Sequence, residues 1–157
     1  TRAGTIKKCA LSEFANVRRS GLIAITLRPD DNLEWVKPTA GSDEVILVTA
    51  EGQAVRFREK DVRSMGRVAA GVRGIRLKGK DRIVGMDVLT PESAKKGAFQ
   101  LLVVMVKGYG KRTGVEQYKT QGRGGSGIKT AHVTDKTGKI SGCAIKTGYR
   151  QKCQACY

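Results

Sequence analysis

The sequence predicts an all-β fold, a propeller-like array of four-stranded blades. Three observations carry this. A pattern of glycine, basic and apolar residues returns at intervals of 48 and 56 residues. Within each copy, apolar and polar residues alternate at the two-residue period of a half-buried strand, as in AVRFR and IRL. No stretch keeps a helical period for more than a turn or so; the only helical candidates, such as LSEF and EKDV, are short.

The repeat has four blocks. GTIKKCALSEF (4–14), GQAVRFREKDV (52–62) and GYGKRTGVEQY (108–118) each open on glycine, pass through basic residues and close on an acidic residue near an apolar or aromatic one. NVRRSGLIAITL (16–27), SMGRVAAGVRGIRL (64–77) and TQGRGGSGIKTAHV (120–133) put basic residues before an aligned glycine, Gly21, Gly71 or Gly127, and a strand-like run after it. PDDNLEWV, KGKDRIVGM and TDKTGKISG are turns with a hairpin signal. DEVILVTA (43–50) and FQLLVVMVK (99–107) are apolar strands, with Val45 to Val48 and Leu101 to Val104 expected in the core. A third copy of that strand is expected after Thr147, where GYRQKCQACY does not supply it. TPESAKKGA (90–98) reads as an inserted loop. The blades are therefore expected at about 1–50, 51–106 and 107–146, with a divergent tail at 147–157. A four-stranded unit cannot bury both faces alone, so the units must stack.

Charge bounds the partner. Thirty Lys and Arg stand against 14 Asp and Glu, a formal net charge of +16. That excess in a glycine-rich chain points to a polyanion, most simply nucleic acid. No run approaches the roughly 18 apolar residues of a membrane span. Lys7 and Lys8 interrupt any signal-peptide core, so a soluble, cytoplasmic protein is expected. Thr1 is not an initiator Met, and the chain is expected to be a piece of something longer. The four cysteines are Cys9, Cys143, Cys153 and Cys156. Only the last two share a C-x-x-C, and His132 has no partner at ligand spacing. Unpaired thiols, with no metal or cofactor, are therefore expected.

The sharpest motif is QGRGGSGIKT (121–130). Gly122, Gly124 and Gly127 satisfy G-x-G-x-x-G, but a strand-like IKTAHV follows where a dinucleotide site needs a helix. Asp135 comes too early to meet a ribose. A Walker loop fails by one residue, since Ile128 separates Gly127 from Lys129. A loop of positive-φ glycines accounts for the backbone alone. It leaves Arg123 and Lys129 unexplained, as well as the six basic residues and single acid between positions 107 and 129. Free N–H groups beside an arginine suit the phosphates of a polymer.

These residues bring a resemblance. QGRGGSG at the head of a strand resembles the A-box of the DNA gyrase A protein. GTIKKCALSEF, EGQAVRFREKDVRSMGRVAAGVRGIRL and KGYGKRTGVEQYKTQGRGGSG look like successive blades of the gyrase A carboxy-terminal domain, over residues 1 to about 146. The resemblance implies a β-pinwheel, a propeller-like disc whose blades exchange strands, of which this chain carries three against the usual six. It also implies a non-catalytic module that wraps double-stranded DNA around a basic rim, in a parent ATP-dependent type IIA topoisomerase. The implied parent partners are the gyrase B protein and a second gyrase A protein, in a bacterial, nucleoid-associated setting. By resemblance Gln121, Gly122, Arg123, Gly124, Gly125, Ser126, Gly127 and Lys129 hold phosphates. Lys111 and Arg112, Arg18 and Arg19, and Arg67 and Arg73 then continue the track on the other blades. The box departs from the family pattern: it lies in the last repeat, Ser126 stands where lysine is common, and Gly122 stands where a second arginine is usual. The related domain of topoisomerase IV and a propeller used for protein contacts are the alternatives. RNA recognition lacks clustered stacking residues among only eight aromatics.

Overall fold

The computed structural model describes residues 1–92 and 99–147. Nine strands form among the described residues: β1 (Thr5–Ile6), β2 (Glu44–Thr49), β3 (Gln53–Arg58), β4 (Val72–Arg73), β5 (Ile83–Leu89), β6 (Phe99–Met105), β7 (Gly110–Gly114), β8 (Ile128–Lys129) and β9 (Ile140–Thr147). They make three antiparallel sheets, ordered β1-β4, β5-β2-β3-β8 and β7-β6-β9. The helical candidates are single 3-10 turns, Leu11–Phe14 and Glu59–Asp61, with a third at Val115–Gln117 in the matching place. No helix among the described residues is long and apolar enough to cross a membrane.

The continuous apolar run of β2 follows from its place at the centre of a sheet covered on both faces. Ile46 and Val48 enter one core with Leu89, Leu101, Val103, Val115 and Ile140. Val45 and Leu47 enter the other with Phe57, Val62, Ile75 and Ile83. Alternate side chains of a strand point to opposite faces, so a strand buried on both has no polar positions. β6 uses one face only. Leu101 and Val103 are buried, but Val104 is exposed, which corrects its assignment to the core.

Sheets and sequence repeats are out of phase. Second-repeat strand β3 takes its outer neighbour, β8, from the third repeat, and first-repeat strand β1 takes β4 from the second. The repeat also recurs in the backbone bonds. The N–H groups of Gly4, Gly52 and Gly108 donate to the carbonyls of Thr1, Thr49 and Met105 at 2.9–3.2 Å. Adjacent repeats are joined where Ile83 N–H donates to Arg2 and Ile140 N–H to Ala50. The first repeat departs from the expected pattern. Residues 21–27 and 33–36 form no strand, because no described strand pairs with them; Trp35 instead packs its side chain against the core of β2 and β5.

The corner of the second repeat is held by a buried carboxylate. Glu59 accepts from the Gly41 N–H at 2.8 Å and pairs with Lys8 at 3.3 Å. Burial alone would raise this carboxyl, but hydrogen bonds from Thr39, Gly41 and Lys8, with the Lys8 charge, outweigh it and hold the group below its ordinary 4.5. A depressed folded pKa contributes stability above the unfolded value, and that stability is lost as pH falls. The thermal midpoint is therefore expected to drop as pH falls below about 4.5. Glu59→Gln should remove part of that acid sensitivity, and equally steep pH profiles for both proteins would contradict the assignment.

Candidate nucleic-acid interface

The box loop connects the third 3-10 turn to β8, and its backbone is stitched to two earlier parts of the chain. Gln121 N–H donates to Arg56 at 2.7 Å, Gly124 N–H to Gly74 at 2.7 Å, and Arg76 N–H to Gly125 at 2.8 Å. β8 then pairs with β3 in the register Gln53↔Lys129 and Ala54↔Ile128. The approach is close. Gly127 has φ +72, and a Cβ there would lie 2.5 Å from the Ala54 carbonyl oxygen. The second repeat repeats this geometry. β4 pairs Thr5↔Arg73 and Ile6↔Val72, and a Cβ on Gly71 would lie 2.7 Å from the Ile6 carbonyl oxygen.

Arg123 is partly committed within the protein. Its Nε donates to the Asp61 carbonyl at 2.8 Å and its Nη1 to the Arg73 carbonyl at 3.3 Å. Arg67 occupies the equivalent place one repeat earlier and donates Nη1 to the Glu13 carbonyl at 3.3 Å. Asp61 and Glu13 are themselves equivalent, each nine residues after the opening glycine. The loop arginine is thus a clasp holding one repeat's loop to the previous repeat's corner. Its exposed guanidinium keeps N–H groups beyond those two bonds.

The other expected residues divide. Arg73 and Lys129 are exposed, occupy the same register position on β4 and β8, and make no ion pair among the described residues. Arg18 and Arg19 are exposed on the loop before Gly21. Ser126 and Gly122 are exposed at the box surface. Lys111 donates to the Thr130 carbonyl at 3.2 Å, tying β7 to the box strand. Arg112 is exposed on β7. Arg58, Lys60, Arg63, Arg76 and Lys119 were not singled out from sequence, yet they are exposed and outside any ion pair among the described residues. One signal was available: Arg63 and Lys119 both stand eleven residues after their opening glycine, so laying the repeats over one another pairs them.

The cysteines offer little chemistry. Cys9 and Cys143 are free thiols. Burial, and then the charge of Asp87, pushes the Cys143 thiol up to about 12, which makes it a packing group at neutral pH. Cys153 and Cys156, with the rest of the 148–157 tail, lie outside the described residues, as do 93–98 of the inserted loop.

The profile of the family described as "DNA gyrase C-terminal domain, beta-propeller" matches residues 1–40, 43–90 and 106–145. The chain belongs to this family. It is 42% identical over 148 residues to the DNA gyrase A protein of Staphylococcus epidermidis, and 41% identical over the same length to the DNA gyrase A protein of Staphylococcus aureus. Each match covers 94% of this chain and 16% of the relative, so the chain spans about a sixth of these gyrase A proteins. Among solved structures, the C-terminal domain of DNA topoisomerase IV superposes with a TM-score of 0.84 at 31% identity, over 92% of this chain and 44% of that one. A DNA gyrase A C-terminal domain superposes with a TM-score of 0.73 over 94% of this chain and 53% of that one. At 24% identity it shows the fold alone. As a gyrase C-terminal domain, the chain is built from propeller-type repeats whose outer strands are exchanged between neighbours.

Proposed function

We propose that this gyrase C-terminal domain is a non-catalytic, cofactor-free module that binds duplex DNA on a basic rim and bends it, supporting negative supercoiling by a parent gyrase A protein. That parent would act in the cytoplasm with the gyrase B protein and a second gyrase A protein. The observation that carries the proposal is the placing of Arg73 and Lys129. Each is an exposed cation at the same register position of an exchanged outer strand, so stacking the repeats turns a sequence position into a row of charge. Lys129 and the N–H groups Arg123 has left would meet phosphates at the third repeat. Arg18, Arg19, Arg63 and Lys119 extend the row at the loops. Among the described residues no helix longer than a single 3-10 turn is available to enter a major groove, so shape and deformability should outweigh base identity. The second reading, substrate selection within a topoisomerase IV, rests on the 0.84 superposition. The 42% identity to a gyrase A protein favours the first.

The test is salt dependence. Log K for duplex DNA should fall linearly with log salt, with a slope of about −0.9 per phosphate neutralised. The double variant Arg73→Glu, Lys129→Glu should flatten that slope by close to two contacts. An affinity insensitive to salt, or a slope untouched by the double variant, would remove this rim from the interface. In the intact gyrase the same variant should lower DNA bending and negative supercoiling while relaxation persists. Loss of neither would favour the topoisomerase IV reading.

A further inference from the structure

We propose that His132 is a proton-linked phosphate contact, an imidazole that takes up a proton when duplex DNA settles on the third repeat, so that the grip there tightens as pH falls. The inference rests on the DNA-binding reading above and adds to it a residue and a dependence on pH.

Repeat position singles out His132. It stands five residues after the aligned Gly127, where the second repeat has Arg76 after Gly71 and the first has Thr26 after Gly21. The two later repeats fold alike through this segment. Arg73 and Lys129 are exposed, Gly74 with Ile75 and Thr130 with Ala131 are buried, and Arg76 and His132 are exposed again. In each repeat one carbonyl receives two successive amides. Gly4 accepts from Gly74 at 2.8 Å and from Ile75 at 3.5 Å, and Gly52 accepts from Thr130 and Ala131 at the same distances. The chain therefore leaves the extended path. Residues three apart on a straight strand lie about 10 Å from each other and on opposite faces. Here Lys129 Nζ lies 3.5 Å from His132 Nδ1. A titratable ring thus occupies the place of a permanent cation, beside a cation already assigned to the rim.

The contact between the two side chains depends on charge. An ammonium only donates hydrogen bonds, and so does an imidazolium. Lys129 therefore holds His132 Nδ1 only while the ring is neutral. Among the described residues no carboxylate pairs with either group. Of the charged residues on adjoining segments, Lys111 reaches from β7 to the Thr130 carbonyl, Lys107 donates to the Asp135 carbonyl, and Glu51 is paired with Lys139. Asp135 and Lys136, on the turn that follows, are both exposed and offset each other in charge. A phosphate arriving at Lys129 supplies the missing anion. It replaces the Lys129–His132 contact with a charge-assisted bond to the ammonium, and the released ring takes a proton from solvent to make a second. Histidine is the side chain whose charge changes between about pH 5 and 8. The complex holds more protons than the free protein, so affinity rises as pH falls through that window.

Titration of a mixed-sequence duplex into the full chain, at fixed salt and between about pH 5.5 and 8, tests this. Affinity should rise toward acid by up to about tenfold per pH unit, the limit for one proton taken up. Calorimetry in two buffers of different ionisation enthalpy should register the uptake directly. His132 is the chain's only histidine, so His132→Asn removes all imidazole titration and should leave affinity flat and weak. His132→Arg should be flat and tight, and its tight binding controls for misfolding. A pH profile that survives His132→Asn, or binding without proton uptake, overturns the inference while the salt slope of the Arg73 and Lys129 rim stands. A wild-type affinity insensitive to salt removes the DNA-binding reading itself, and this inference with it.

Discussion

Arg56→Ala should destabilise the protein by about 3–5 kcal/mol, the cost of breaking a buried ion pair from one side. Arg56 is 8% exposed and sits on β3 with all three guanidinium nitrogens engaged. It forms an ion pair with Glu44 on β2, with Nε to Oε2 at 2.7 Å, and it donates to the carbonyls of Val115 and Tyr118 at 3.0 and 3.2 Å. Removing it leaves the Glu44 carboxylate with Thr120 Oγ1 but without a countercharge, and takes a donor from the Tyr118 carbonyl, while the Val115 carbonyl keeps the Tyr118 N–H. At roughly 2–4 °C per kcal/mol for a chain of this size, the melting midpoint should fall by roughly 6–20 °C. Arg112→Ala, the same repeat position in an exposed setting, should move it by no more than about 0.5 kcal/mol. Similar losses for the two would show that the buried contact contributes nothing beyond a surface charge.

That contrast marks what the sequence can and cannot convey. Lys8, Arg56 and Arg112 align through the opening glycines, and all three read as basic residues of one repeating block. The strand content, the corner turns and the two-sided burial of Val45 to Val48 were legible, because they follow from local period and from glycine spacing. What each cation does was not. Whether a guanidinium faces water or a neighbour's carbonyl depends on which strand the adjacent repeat contributes. That contact joins residues about 60 positions apart. Arg123 shows the same limit: the box motif drew attention to the right residue, while its bonds to Asp61 and Arg73 depend on the stacking.

The four box glycines should separate sharply by function. Gly127→Ala forces a side chain into a left-handed backbone and sets its methyl 2.5 Å from the Ala54 carbonyl. Loss of about 3 kcal/mol is expected, from backbone strain together with displacement of β8 from β3. Gly122→Ala meets nothing within 4 Å, and at Gly125 the nearest neighbour is an ordinary 3.7 Å away; neither has a positive φ. Both substitutions should melt within about 0.5 kcal/mol of the parent. Gly124, left-handed but with its nearest neighbour at 3.5 Å, should fall between them. A flat response across all four would mean that these glycines serve flexibility and not close approach.

The exchange of β8 into the sheet of β3 also imposes an order on synthesis. β3 ends at Arg58 and its outer neighbour ends at Lys129, so 71 more residues, Lys129 included, must be made after β3 is complete. At 5–20 residues per second, β3 waits roughly 4–14 s with an unsatisfied edge while the nascent chain lengthens. During that interval an exposed β edge is a template for pairing with other chains. Arg56 and Arg58 on that strand, with Lys60 and Arg63 just beyond it, outnumber Glu59 and Asp61, so the waiting segment carries net positive charge. The cations that suit this surface to a polyanion in the finished protein also make two unfinished copies repel each other on neighbouring ribosomes.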